Sequence, residues 1–452
     1  MSLKERLENY SKSNMYPFHM PGHKRQLEGC YRIDMTEVEG VDDLHDPEDV
    51  ILEEQERMAR LFKADESFIL VGGSTVGNLA SVYAACNEGD TIIIQRNSHR
   101  SVYNAAMLRH LKVDYVTPKV GENGIFDAVT LDEIKEAVEG QNAVKALVIT
   151  SPTYEGYHCN IREISTYCHE NDIILIVDQA HGAHLGFNEA FKNSAVGYAD
   201  ITIQSLHKTL PCLTQTAAIH VSKDRINPMS IRQALDIFET SSPSYVLMNS
   251  VSECLDYLED SGELFREYVD NLKDFYNSCG NLKRLKLIDA AYEQKDPGKL
   301  VLSTENTNIT GVMLAKILRE RYQIETELSS FAYTLAMTSV MDTKEGFMRL
   351  KEALIEIDKE LDEGNVNVPA VSLNPVKRME LYEAKAVEDK MLLLKDAIGH
   401  VSSAMVCLYP PGSPIIVPGE EITEECLCII KEAKAKGIHV TGLSKDSISV
   451  VN

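Results

Sequence analysis

Three short segments carry residue types whose spacing could do chemistry together. The first is Gly72-Gly-Ser-Thr-Val-Gly77, directly after the apolar run 67–71. Its glycines permit a tight turn and close backbone approach. Ser74 or Thr75 can cap the helix that follows, whose free N–H groups suit a phosphate. No Walker lysine is present, which argues against a nucleotide P-loop. Taken alone, a plain strand-to-helix turn with a good N-cap is the simpler reading. The second segment is Asp178-Gln-Ala-His181, at the end of the apolar run 173–177. A carboxylate at the end of a strand buried on both faces is costly unless it is paired. The third is Ser205-Leu-His-Lys208, after the run 200–203. A surface lysine, or an ion pair between Asp178 and Lys208, would account for it without chemistry.

Together the three segments supply what pyridoxal 5'-phosphate (PLP) requires: a lysine for a Schiff base, a carboxylate that keeps the pyridine nitrogen protonated, and a turn for the phosphate. Ala180 is small enough to leave room for a ring beside Asp178. His99, in Arg96-Asn-Ser-His99 beyond the run 91–94, could stack on the other face. A histidine at such a place is more often a helix cap or a surface residue.

The elements that must position these residues alternate. Ile51, Leu52, Met58, Leu61 and Phe62 predict a helix over 47–62. Apolar runs at 67–71, 91–94, 146–150, 173–177 and 200–203 predict strands, with helices between them at 76–85, 102–110 and 131–138. Short, fully apolar strands separated by amphipathic helices predict a mostly parallel sheet covered on both faces, a three-layer α/β domain. Beyond Pro297 a strand at 299–303, a helix at 311–321, a strand at 324–328 and a helix at 344–361 predict a smaller α+β unit. The expected division is an N-terminal arm at 1–46 with little periodicity, a large domain at 47–290, a small α+β domain at 291–368 and a C-terminal α+β domain at 369–452. The Glu-rich helices expected at 344–363 and 419–436 read as solvated faces.

Composition sets the outer limits. The chain has 452 residues, 44% hydrophobic and 25% charged, with 45 Lys plus Arg against 69 Asp plus Glu, a net charge of −24. That balance argues against a nucleic-acid partner and mildly favours a cationic substrate. No run is long and apolar enough for a membrane span, and the first residues lack the apolar core of a signal peptide, so a cytoplasmic protein without membrane partners is expected. The ten cysteines form no CxxC and no metal-type quartet, and no metal is expected.

With these residues in hand, the sequence resembles the bacterial ornithine/lysine/arginine decarboxylase family, in the short form without a wing domain, on the aspartate-aminotransferase-like fold type I. The matching stretches run nearly end to end. They are Phe18-His-Met-Pro-Gly-His-Lys24, Asp42-Asp-Leu-His-Asp-Pro47, Gly73-Ser-Thr75, Arg96-Asn-Ser-His99, Ser151-Pro-Thr-Tyr154 with Gly156, and Asp178-Gln-Ala-His-Gly-Ala-His184. Ser205-Leu-His-Lys-Thr-Leu-Pro211, Thr240-Ser-Ser-Pro-Ser-Tyr245, Tyr409-Pro-Pro-Gly412 and Pro418-Gly-Glu420 follow. The resemblance implies PLP as cofactor and Lys208 as the Schiff-base lysine. It implies Asp178 on the pyridinium nitrogen and His99 stacked on the ring. Gly73, Ser74, Thr75, Ser205 and His207 would hold the phosphate, and Ala180 and His181 would complete the cofactor contacts. Gln179 stands where relatives often have Glu, and Ser98 where many have Cys or Val. The implied reaction is decarboxylation of a basic L-amino acid, arginine first, then lysine or ornithine, with a place in polyamine supply or acid response. The implied assembly is a homodimer or a dimer of dimers with shared active sites.

Other residues compete for attention. His19 and His23 are four apart, but Pro21-Gly22 between them breaks any helix, so a zinc pair is not expected. Asp42, Asp43 and Asp46 form either a cation site or a solvated acidic loop. Glu325 and Glu327 would share one side of the strand at 324–328, and Glu327 is the favoured partner for the distal cation of a basic substrate. An aminotransferase or C–S lyase would instead need an arginine for the substrate carboxylate, for which Arg319, Arg321 and Arg349 are the small-domain candidates. A catalytically silent binding protein of the same fold is the alternative of another class.

Overall fold

A computed structural model of the chain describes residues 2–141, 143–289, 291, 294–368, 376–409 and 414–452. The first elements are α1 (Leu3–Ser11), α2 (Val50–Phe62), β1 (Glu66–Leu70), α3 (Gly73–Ala85), β2 (Thr91–Gln95), α4 (Arg100–Leu108), β3 (Lys112–Val116), α5 (Leu131–Glu139) and β4 (Ala146–Thr150). Next come α6 (Ile161–Glu170), β5 (Ile174–Asp178), β6 (Ile201–Gln204), α7 (Leu206–Thr209), β7 (Ala217–Val221), α8 (Pro228–Phe238), α9 (Tyr245–Glu259) and α10 (Gly262–Cys279). Then follow β8 (Lys286–Ile288), β9 (Lys299–Ser303), α11 (Gly311–Tyr322), β10 (Leu328–Ser329), β11 (Tyr333–Met337) and α12 (Lys344–Glu360). The chain forms two compact units, one from Met1–Ala85 with Ile161–Phe265, the other from Cys86–Asn160 with Arg266–Asn452.

In the first unit the strand order is β1-β7-β6-β5. β5 and β6 run parallel, and β7 is antiparallel to both β6 and β1. Leu175, Ile176, Val177, Ile201 and Ile203 are fully buried, as strands covered on both faces require. β7 was not expected from sequence. Its Ala217-Ala-Ile-His-Val221 is weak in β-formers and carries a histidine. That His220 is buried and satisfied by Ser67 Oγ at 2.7 Å and Gln204 Oε1 at 3.1 Å. α3 lies close to the sheet because it is rich in small residues. A Cβ at Gly77 would sit 2.6 Å from Ile203 Cγ2, so a larger residue there would push the helix away.

The segment before residue 46 is more ordered than its lack of periodicity implied. α1 is closed by a capping box, Ser2 Oγ accepting from Glu5 N while Glu5 accepts from Ser2 N. Leu3 and Leu7 are fully buried, and α1 packs on α9. Buried Glu54 of α2 ties these helices together, accepting from Leu3 N at 3.1 Å and from Ser252 Oγ at 2.7 Å.

In the second unit β4-β2-β3 form a parallel set, and β10-β11-β9-β8 an antiparallel one. β3 was also unexpected, because an edge strand reading Lys-Val-Asp-Tyr-Val alternates instead of running apolar. Of the expected strand 324–328 only Leu328 falls in a strand, the two-residue β10. Toward the C-terminus a helix at Glu424–Ala435 covers a core of Ile415, Ile416, Ile422, Ile430, Ile448 and Val450. The helix expected over 419–436 therefore starts later, at Thr423 as N-cap. Pro410 to Gly412 of the motif at 409–412 lie outside the described residues. Among the described residues no helix is long and apolar enough to cross a membrane.

Candidate active site

The carboxyl ends of β1, β5 and β6 in the first unit carry most of the residues singled out above. Gly73 opens α3 with φ +75°, a conformation that suits glycine. Ser74 follows, its Oγ 2.6 Å from Ser205 Oγ at the end of β6. Thr75 is exposed at the same helix start. The first-turn N–H groups of α3 have no partner within the helix and carry its positive dipole end. The preceding amides are already committed. Val71 N and Gly72 N both donate to Glu239 Oε2, at 3.0 and 3.1 Å. Sequence reasoning missed Glu239, which lies far along the chain with no local signal.

Asp178 ends β5 and is 3% exposed. Its Oδ2 accepts from Asn78 Nδ2 at 2.9 Å and its Oδ1 from Ala180 N at 3.1 Å. These donors offset the burial of the carboxylate. Asn78 was also missed, although it lies one helical turn after Ser74 and so shares its face. Gln179 points the other way, as strand alternation demands. Its Oε1 accepts from Ala195 N at 3.1 Å and from Gln204 Nε2 at 2.9 Å, within a buried polar chain that ends at His220 and Ser67. Burial pushes His220 down to about 3, so it is neutral there.

Lys208 sits in α7 with its Nζ 3.0 Å from His181 Nε2. His181 is buried, which brings the two nitrogens together where water is scarce. His207 Nδ1 donates to Thr216 O at 2.7 Å. Burial, with the nearby Lys208 charge, lowers its pKa below the usual histidine value. In that neutral form Nε2 is an acceptor only, so a phosphate would engage it only after protonation.

The second unit holds the remaining candidates. His99 caps α4, its Nδ1 accepting from Ser101 N, and its side chain is exposed. Two residues before Ser98, Arg96 is fully buried, donating to Pro414 O at 2.9 Å, Ile415 O at 3.1 Å and Glu420 Oε2 at 3.0 Å. Glu420 was expected on a solvated helix face. It is 2% exposed and also accepts from Val417 N at 2.8 Å. Glu327 does not lie on a strand. It is exposed, accepts from Tyr154 OH at 2.5 Å, and lines an open cavity of about 420 Å³ with Lys316, Arg319 and Glu325. Glu325 does not share its role, because it pairs with Arg319 at 2.8 Å. Arg321 pairs with Glu360, and Arg349 donates to Tyr322 O at 2.6 Å. All three arginines considered for a substrate carboxylate thus have surface partners.

The acidic loop resolves into a cap. Asp42 accepts from the amides of Asp43, Glu48, Asp49 and Ile51, at 2.7 to 3.1 Å, and so fixes the start of α2. His23 lies between Asp34 Oδ2 and Arg25 N, both at 3.0 Å, rather than facing His19 across a metal.

The donor set of the first unit fits PLP. An amine, a buried carboxylate, two hydroxyls in mutual contact and the N-terminus of a long helix all occur at strand ends of one sheet. Gly73, Ser74, Thr75 and Ser205 would hold the phosphate, Asp178 the ring nitrogen and Lys208 the aldehyde.

Comparison with known proteins gives the same direction. The profile described as "Orn/Lys/Arg decarboxylase, major domain" matches residues 2–295, and "Orn/Lys/Arg decarboxylase, C-terminal domain" matches 361–446. An arginine decarboxylase of Halalkalibacterium halodurans is 31% identical, over 97% of this chain and 94% of its own. The constitutive lysine decarboxylase of Escherichia coli superposes with a TM-score of 0.86 at 21% identity, covering 100% of this chain and 82% of that one. A structure of SPT with PLP matches at TM-score 0.55 and 11% identity, over 68% of this chain and 76% of that one, which extends the shared fold to a PLP enzyme. With a family profile spanning more than half of its length and a relative of this identity end to end, the chain belongs to the Orn/Lys/Arg decarboxylase family.

Proposed function

We propose that the protein is a PLP-dependent α-decarboxylase of a basic L-amino acid, with arginine ahead of lysine and ornithine. The observation that carries this reading is the assembly of Lys208, Asp178, Ser74 and Ser205 at neighbouring strand ends of one unit. The arginine preference rests on the name of the Halalkalibacterium relative. When bound, PLP supplies an electron sink for the pair released as carbon dioxide departs.

The chain's own residues do the rest. Ser74, Thr75, Ser205 and the first turn of α3 anchor the phosphate dianion through hydroxyl and N–H donors. Asp178, held by Asn78 and Ala180 N, keeps a negative charge where the ring nitrogen must stay protonated. His181 Nε2 lies within hydrogen-bond reach of Lys208 Nζ and can take its proton, leaving the amine with a free lone pair. The same pair can return a proton to the substrate carbon after carbon dioxide has left. His99 is assigned to the ring face and Glu327 to the distal cation of the substrate. In this reading residues 47–290 bind the cofactor, and 291–368 and 369–452 complete the enzyme.

We also infer a cytoplasmic enzyme that assembles as a dimer or dimer of dimers through the arm at 1–46. Met15, Tyr16, Phe18 and Met20 stand 50% to 93% exposed there, an apolar run that a second copy would cover. The deciding experiment is carbon dioxide release from arginine, lysine and ornithine, for the wild type and for Glu327→Gln. The expected result is turnover of arginine, with KM raised about tenfold and kcat little changed in the variant. Absence of carbon dioxide from all three substrates in PLP-loaded protein would end the reading.

A further inference from the structure

Glu239 is a carboxylate placed where a phosphate-binding turn would be expected to avoid one. It caps the end of α8, and its Oε2 accepts from both Val71 N and Gly72 N. Its Oε1 accepts from Thr240 N at 3.0 Å. Gly72 has no side chain, and that absence admits the carboxylate. A Cβ at Gly72 would lie 2.9 Å from Glu239 Oε1 and 2.5 Å from Val76 Cγ2. The next residue, Gly73, begins α3 and the cofactor cradle.

Glu239 is itself held from the arm. His45 Nε2 donates to Thr240 O at 2.8 Å, and His45 Nδ1 lies 3.3 Å from Asp236 Oδ1 on α8. His45 is fixed in turn, its backbone N donating to Asp43 Oδ1 at 2.9 Å, beside the cap that Asp42 makes on α2. A continuous chain of hydrogen bonds therefore runs from the arm through His45, Thr240 and Glu239 to the backbone just before Gly73. All of it lies in one unit.

We propose that Glu239 is a positioning residue for the cofactor phosphate, and that His45 holds it in register. It fixes Val71 and Gly72 so that the following amides and Ser74 point outward together. This inference rests on the PLP reading and adds the group that orders the turn. The electrostatics run against it. A carboxylate near a phosphate repels it, so a purely electrostatic role predicts that neutralising Glu239 tightens PLP binding. A positioning role predicts the opposite for a variant that cannot accept hydrogen bonds.

The test is PLP affinity of apo-enzyme, read by the absorbance of the bound cofactor, for wild type, Glu239→Gln, Glu239→Ala and His45→Ala. Glu239→Gln keeps an acceptor for the two amides and should bind PLP as tightly as wild type or more so. Glu239→Ala leaves both amides unpaired and should weaken binding about tenfold. His45→Ala should weaken it about threefold, with no further effect in the Glu239→Ala background. Wild-type affinity in a folded Glu239→Ala protein, or equal losses in Glu239→Gln and Glu239→Ala, would overturn the proposal. If Glu239→Ala does not fold, the decision falls to Glu239→Gln and His45→Ala. Unchanged affinity in His45→Ala then overturns the proposal. A wild type that takes up no PLP at all refutes the underlying reading instead.

Discussion

Replacing Glu420 by alanine tests the buried pair that joins the loop before His99 to the C-terminal region. Arg96 is fully buried and makes four directed contacts, to Pro414 O, Ile415 O, Tyr103 OH and Glu420 Oε2. Removing the carboxylate leaves a guanidinium without its counter-charge, and leaves Val417 N without its acceptor. A broken buried pair costs about 3–5 kcal/mol. Glu420→Gln keeps an acceptor for both donors, and about half that loss is expected. The pair itself adds little net stability. Burial raises the Glu420 pKa above the usual carboxylate value, against the opposing attraction of Arg96. A carboxyl whose folded pKa is raised binds its proton more tightly when folded. Its ionisation therefore subtracts stability as pH rises from the unfolded value of 4.5 through the raised folded value. The pair is thus expected to fix geometry, and a packed apolar replacement of both residues should be tolerated. Denaturant unfolding of wild type, both single variants and Arg96→Met/Glu420→Leu measures all four terms. A Glu420→Ala midpoint equal to wild type would refute the reasoning, since it would mean that Arg96 finds water.

Three further outcomes are expected. Lys208→Ala should lose the visible absorbance of lysine-bound PLP and all turnover, and retention of either in the purified variant would remove Lys208 from its role. Asp178→Asn should still bind PLP but lose at least about 10²-fold in kcat, because a neutral amide cannot stabilise a protonated ring nitrogen; near-normal kcat would leave Asp178 a structural residue. Light scattering should give at least twice the 50.5 kDa chain mass, falling toward one chain in a Tyr16→Ser/Phe18→Ser variant, whereas a fully active monomer refutes the shared-site assembly.

The residues proposed to hold the cofactor were legible in the sequence because each sits at the end of a recognisable apolar run. Gly73 and Lys208 lie just beyond buried apolar strands and Asp178 ends one, and the position of a residue at such an end needs no knowledge of distant contacts. The Ser2–Glu5 capping box at α1 was equally local, and the helix it starts could have been read from it. Other features depend on partners far away in the chain. Glu239 meets Gly72 across 167 positions, and Arg96 meets Glu420 across 324. A glutamate looks the same in sequence whether it faces water or a buried arginine. Glu420 therefore read as part of a solvated helix until its burial was seen. β7 and the truncated β10 belong to the same class, because pairing with neighbours decided them against weak or misleading local propensity. Residue types and strand ends thus determined the chemistry that could occur. Only the tertiary structure decided which side chains hold that chemistry in place, since hydrogen bonds and burial depend on distance in space and not along the chain.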